Sequence, residues 1–192
     1  MKAWFHHFPD AFTPEECAAI VEFAPAFPEQ SGTVGHGAGH RVNATLRTSQ
    51  VRWLPRAEPA LRFLFDRMTL CILEANARSF FLALDYEPRL SYTAAQFTTY
   101  RAEDEGHYDW HEDNCWVPAH WRASDRKLSA VLLLSDLSTF TGGEFEIDRV
   151  TAPLLTQGSV IVFPSHARHR VLPVKSGLRN SLVLWAEGPR LR

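Results

Sequence analysis

The hydrophobic period of this chain changes once, near residue 95. Before that point apolar residues recur three and four positions apart, as one face of an α-helix requires. Thr13-Pro14-Glu15-Glu16 is a helix start: Thr13 is placed to cap, Pro14 suits the first helical position, and Glu16 can complete a capping box. Ala18, Ile20, Val21 and Phe23 give that helix its apolar residues, and Pro25 and Pro28 end it. A second, longer helix is predicted over residues 58–82, with Leu61, Leu64, Phe65, Met68, Ile72 and Ala75 as its packing stripe. Between them, residues 30–43 hold four glycines and read as a flexible loop, and residues 49–54 read as a short strand.

Beyond Ala95 the period becomes two. Short β-rich runs at 128–134, 158–164, 169–174 and 177–181 alternate with turn residues, and no segment repeats another. Many short strands in a chain of this size predict a two-sheet sandwich or jelly roll. The expected class is α+β: a double-stranded β-helix, cupin-like, with an N-terminal helical layer packed on the sheet. Residues 1–192 form a single domain in this reading, with 1–94 as mainly helical support and 95–192 as the jelly roll that carries the chemistry.

Composition narrows the possibilities. With 192 residues, 45% of them hydrophobic and 22% charged, the chain describes an ordinary globular domain with one sizeable core. A formal net charge of -2 and the lack of a basic run argue against a nucleic-acid partner. No apolar run approaches the roughly 18 residues of a membrane span, and the start of the chain turns polar too soon for a secretory signal. The expected setting is cytoplasmic, away from membranes. Cys17, Cys71 and Cys115 are odd in number, widely spaced and without a Cys-x-x-Cys pair, so reduced thiols are expected.

The chemistry concentrates around His111-Glu112-Asp113. On an extended strand, residues two apart share a face, so His111 and Asp113 can point together. With a distant histidine they would occupy one face of an octahedral Fe(II), leaving the opposite positions for a co-substrate and dioxygen. His166 and His169 are the two rivals for that place. Arg179 offers a planar fork that matches a carboxylate, and Ser181, two residues on, presents a hydroxyl from the same face. Tyr100 lies on the strand leading to the ligand turn, where its phenol could donate to the same carboxylate. His36 and His40, in the glycine-rich loop, read as solvent-exposed. Trp110, Trp116, Trp121, Arg122 and Arg126 surround the loop after Asp113, where they either wall a pocket or pack that loop. Gly142 and Gly143 read as a tight turn.

Taken in order, the segments YDWHEDN, TGGEFEI, GSVIVFPSHARHRVLPV and GLRNSLVLW resemble the Fe(II)- and 2-oxoglutarate-dependent oxygenases, specifically their prolyl-4-hydroxylase-like, PKHD-type branch. The resemblance runs from about Gln96 to Trp185. It implies that His111, Asp113 and His169 are the iron ligands, His169 being preferred to His166 because it lies ten residues before Arg179. It also implies that Arg179 and Ser181 hold the distal carboxylate of 2-oxoglutarate, with Tyr100 as a further donor. The insert Glu103-Asp104-Glu105 departs from the family's more compact spacing between this tyrosine and the ligand histidine.

The activity implied is a dioxygenase using Fe(II), 2-oxoglutarate and O2, with ascorbate as a reductant. It would hydroxylate an unactivated C–H bond of a prolyl or other protein or peptide side chain, or of a small molecule. Two alternatives share the fold: a non-catalytic cupin-like binding module, and a cupin-like metalloenzyme that does not use 2-oxoglutarate. Arg179 is the residue that separates the latter from the oxygenase.

Overall fold

Helix α1 (Pro14–Phe23) begins as its sequence dictates: the Thr13 hydroxyl accepts from Glu16 N at 3.2 Å, and the Glu16 carboxylate accepts from Thr13 N at 2.9 Å. The computed structural model describes residues 4–35, 41–84, 93–114 and 124–190. Helix α2 (Arg62–Ala75) is shorter than the period predicts. A 3-10 turn at Pro59–Leu61 precedes it, and a π turn at Asn76–Phe80 follows. Asn76 causes the exit: its side-chain amide donates to Leu82 O and accepts from Leu82 N, each at 2.9 Å, which offers the backbone an alternative to the helical ladder.

The strands are β1 (His6–Phe8), β2 (Gln30–Ser31), β3 (Arg47–Thr48), β4 (Gln50–Pro55), β5 (Ala94–Arg101), β6 (His107–His111), β7 (Ser124–Leu133), β8 (Phe140–Gly142), β9 (Phe145–Ile147), β10 (Val160–Pro164), β11 (His169–Val171) and β12 (Val174–Pro189). Among the described residues they form a large sheet in the order β1-β10-β7-β12-β5-β4-β2, with β8 attached to β12, and a small sheet in the order β3-β6-β11-β9. Every pairing is antiparallel. This is the expected jelly roll. The first half of the chain does more than support it, however: β1, β2 and β4 extend the large sheet and β3 edges the small one.

Period-two alternation divides the core. Leu132, Val162, Leu182 and Leu184 face outward and pack with Ile20, Leu64, Phe65, Met68 and Ile72 of the helical layer. Their sequence neighbours Val131, Leu133, Ile161 and Phe163 face inward and pack with Ile147, Val171 and Val174 between the sheets. Each fully buried side chain of this kind contributes about 1.5–3 kcal/mol. Arg179 and Ser181 share the inward parity of Val183 on β12, so the fold points two polar groups into an apolar chamber.

Cys17 and Cys71 are buried and unpaired, and burial pushes both thiols up to about 11. Iodoacetamide near pH 8 is expected to leave both unmodified in the native protein and to label both after unfolding, as read by mass spectrometry. Labelling of either in the native state would contradict this packing. Cys115 lies outside the described residues. No helix among the described residues is long and apolar enough to cross a membrane.

Candidate metal centre

His111 closes β6, His169 opens β11, and the two are direct partners across the antiparallel ladder. Their rings lie 4.1 Å apart, centre to centre. Asp113 is past the strand end: its N–H and that of Asn114 both donate to Ser165 O at 2.9 Å, pinning this turn to the end of β10. The carboxylate thereby reaches both imidazoles, with Oδ1 3.8 Å from His111 Nε2 and Oδ2 3.6 Å from His169 Nε2. All three donor atoms lie within 4.8 Å of one another, a group that could hold one metal ion.

The histidine tautomers are set by backbone carbonyls. Nδ1 of His111 lies 2.8 Å from Asp109 O, and Nδ1 of His169 lies 2.9 Å from Ala167 O. A carbonyl only accepts, so each Nδ1 carries the proton and each Nε2 turns a lone pair toward Asp113. Burial, helped by the neighbouring His169, pushes the pKa of His111 down to about 3. For Asp113 burial acts upward, but His169, His111, Arg126 and the Ser129 hydroxyl outweigh it and hold the carboxyl at about 2. A neutral imidazole and an ionised carboxylate are the states a divalent cation needs.

Sequence reasoning missed Ser129 and Tyr108, and left Arg126 as a group beside the loop after Asp113. Ser129 is buried and donates to Asp113 Oδ2 at 2.7 Å, with Ser165 Oγ a further 2.9 Å away. Its signal was a single polar residue within the apolar run 128–134. Tyr108 stacks on His111, ring centres 3.4 Å apart and planes within 9°. Residues three apart on a regular strand face opposite ways; the β6–β11 register slips between Val171↔Tyr108 and His169↔His111, and this bulge turns both rings to one side. Arg126 sets its guanidinium 3.8 Å from the ring centre of Trp185 and donates to Asp113 O at 3.4 Å.

Ser129→Ala is expected to lower metal affinity about 10- to 100-fold, the usual effect of removing a group that orients a ligand. Competition against a chelator measures it. Unchanged affinity would mean that Ser129 does not orient the carboxylate.

Arg179 stands opposite Tyr100 in the β12–β5 register and is 1% exposed. Its Nη1 donates to Ser181 Oγ at 3.1 Å, and its guanidinium carbon lies 5.5 Å from the Tyr100 ring centre. The Glu103–Glu105 insert does not disturb this arrangement, because a 3-10 turn at Ala102–Asp104 absorbs it after β5 has placed Tyr100. No carboxylate among the described residues forms an ion pair with Arg179, and burial lowers its pKa. Gly143 has φ +69°, and a Cβ there would come 2.7 Å from Arg179 Cδ. The Gly142-Gly143 turn therefore also makes room for the arginine stem. A cavity of about 470 Å³ bordered by Leu133, Gly143, Phe145, Leu155 and Arg179 adjoins it.

His166 is exposed in the turn between β10 and β11, away from the triad. Trp110 lines a cleft of about 460 Å³ with Val34, Leu46, Tyr108, His111 and Arg168. The guanidiniums of Arg170 and Arg168 lie 4.5 and 5.7 Å from its ring centre. His36, His40, Trp116, Trp121 and Arg122 lie outside the described residues.

Residues 95–187 match the family model of the 2OG-Fe(II) oxygenase superfamily, a span that includes His111, Asp113, His169 and Arg179. A PKHD-type hydroxylase of Azoarcus sp. (strain BH72) is 32% identical over 184 residues, covering 93% of this chain and 75% of that protein. The chain belongs to the PKHD-type hydroxylases of the 2OG-Fe(II) oxygenase superfamily. A second PKHD-type hydroxylase, from Synechococcus sp. (strain CC9311), is 38% identical over 95 residues, 48% of this chain; the match spans only 41% of that relative's length. Among solved structures, a prolyl hydroxylase from Trichoplax adhaerens in complex with a hypoxia inducible factor peptide fragment superposes with a TM-score of 0.72. At 15% identity over 95% of this chain and 83% of that one, it shares the fold.

The PKHD-type family brings Fe(II), 2-oxoglutarate and O2 as cofactor and co-substrates. The residues present suit them. Two imidazole nitrogens and one carboxylate match the facial set of non-haem Fe(II) oxygenases, and a buried guanidinium without an ion-pair partner among the described residues suits a dicarboxylate.

Proposed function

We propose that this PKHD-type hydroxylase binds Fe(II) through His111, Asp113 and His169, binds 2-oxoglutarate through Arg179, and hydroxylates an unactivated C–H bond of an amino-acid residue. The observation that carries this reading is the shared chamber: the triad and a fully buried arginine, without an ion-pair partner among the described residues, lie between the same two sheets. Bound together, iron and 2-oxoglutarate activate dioxygen and couple decarboxylation of the co-substrate to hydroxylation.

The chain's own contribution is binding, orientation and exclusion of water. Arg179 takes the distal carboxylate through its planar fork, and Ser181 and Tyr100 stand beside it as hydroxyl donors. Asp109 O and Ala167 O keep each imidazole in the ligating tautomer, while Ser129 holds Asp113. Phe163, Ile147 and Val171 line the chamber with apolar surface and keep solvent from the reacting centre. Ascorbate serves as reductant, and a prolyl side chain is the favoured target class, by kinship with the prolyl hydroxylases. Residues 95–192 are the catalytic part of one domain, and the unpaired Cys17 and Cys71 fit a cytoplasmic setting.

The test is aerobic turnover, with succinate read by mass spectrometry. Iron-dependent conversion of 2-oxoglutarate to succinate, removed by Arg179→Ala, is the expected result. Iron binding without any consumption of 2-oxoglutarate would sink the reading.

A further inference from the structure

Arg47 opens β3 at the edge of the small sheet, in register with Tyr108 of β6. It is a second buried arginine, only 5% exposed. Its Nε donates to Ser49 Oγ at 2.8 Å and its Nη1 to Thr33 O at 3.2 Å, while Nη2 is buried and makes no hydrogen bond. The guanidinium carbon lies 4.5 Å from the centre of the Tyr108 ring, which in turn stacks on His111. Arg47 thus stands one aromatic ring away from the metal triad.

Arg47 contacts the Ser49 hydroxyl, the Thr33 carbonyl and both the ring and the phenol of Tyr108, and no carboxylate among the described residues pairs with it. The ring contact is a cation–π contact that the charge strengthens, but none of these partners supplies a counter-charge. A buried cation is unfavourable unless an anion joins it. The fold nevertheless makes room: a Cβ on Gly32 would fall 2.6 Å from Arg47 Nε and 2.4 Å from Ser49 Oγ.

The remaining step rests on the proposed function. In the loaded chamber the charges of Fe(II) and dianionic 2-oxoglutarate cancel, Arg126 acts on Asp113 and Glu144 acts on Arg179, and Arg47 is left without a carboxylate among the described residues. Arg168, exposed on the rim of the adjoining cleft, adds to the positive potential along the approach. We propose that Arg47 receives a carboxylate of the substrate. The preferred substrate is then a free amino acid or the C-terminal residue of a peptide, rather than an internal residue.

The test compares wild type with Arg47→Gln, which keeps hydrogen-bond donors without the charge, and Arg47→Lys, which keeps the charge. Each is loaded anaerobically with Fe(II) and 2-oxoglutarate, and the visible band of that complex reports an intact co-substrate site. Absence of the band in wild type would mean that the underlying reading has failed, independently of Arg47. Each loaded protein is then titrated with the common L-amino acids and the dipeptide Gly-Pro, and separately with their primary amides, following the change in the band.

Wild type is expected to favour the acids over the amides by about tenfold or more, the value of one charge-assisted pair. That preference should vanish in Arg47→Gln and persist in Arg47→Lys. Equal response to acids and amides in wild type, response to neither, or an unchanged preference in Arg47→Gln would overturn the proposal. So would a loss in Arg47→Gln that falls equally on both series, because Arg47 would then only prop Tyr108.

Discussion

Arg179→Ala is expected to remove the response to 2-oxoglutarate while leaving the metal site intact. Arg179 is 1% exposed, donates a hydrogen bond to Ser181 and lies against the Tyr100 ring, and neither residue belongs to the triad. Loss of one partner of a buried, hydrogen-bonded charge pair costs about 2–5 kcal/mol, which is about 30- to several-thousand-fold in affinity. Calorimetric titration of the Fe(II) protein with 2-oxoglutarate under anaerobic conditions measures it. Near-normal co-substrate affinity in the variant would remove Arg179 from the site.

Arg179→Met makes the same point with less loss of volume. Without co-substrate, Arg179 is a buried charge with no ion-pair partner among the described residues, and exchanging such a group for an apolar one is typically neutral or stabilising. The thermal midpoint of the co-substrate-free protein should therefore hold or rise, by roughly 2–4 °C for each kcal/mol gained in a chain of this length. The stabilisation that 2-oxoglutarate confers on wild type should disappear. A large fall in the midpoint would show that the arginine has a structural partner of its own.

Asp113→Ala is expected to have the other large effect. Asp113 supplies the only anionic donor of the triad and spans both imidazoles. Its removal should weaken metal binding by more than the roughly 100-fold upper end seen for outer-shell groups, and should take turnover to background. Asp113→Asn separates charge from shape. It keeps an acceptor for Ser129 but removes the negative charge, so a loss nearly as large as that of Asp113→Ala is expected. Chelator competition and metal analysis of the purified variants report both. Full iron occupancy in Asp113→Ala would contradict the triad.

Local patterns were the legible part of this site. Period-two alternation placed Arg179 and Ser181 on one face, and the two are hydrogen-bonded there. Alternation also placed Asp113 with His111, but for a different reason than the one that operates: β6 ends at His111, and Asp113 is aimed by a turn bonded to Ser165. The capping box at Thr13 is wholly local and formed as written. The end of α2 was less legible, because one asparagine amide competes with a ladder that the apolar stripe would otherwise continue.

What the sequence hid depends on contacts between distant segments. Ser129 matters only because β7 pairs with β10, whose end holds the Asp113 turn. Tyr108 reaches His111 only through the β-bulge, which no period analysis reports. Arg47 enters the picture only once β3 pairs with β6 across the small sheet.

The most direct test of the central claim is an anaerobic titration of the metal-free protein with Fe(II) and then 2-oxoglutarate, watching for the visible charge-transfer band of the chelated complex. The account predicts a band in wild type that is strongly weakened in both His169→Ala and Arg179→Ala, with iron still bound in the latter. Iron binding with no band in wild type, or a band that survives Arg179→Ala undiminished, would contradict it.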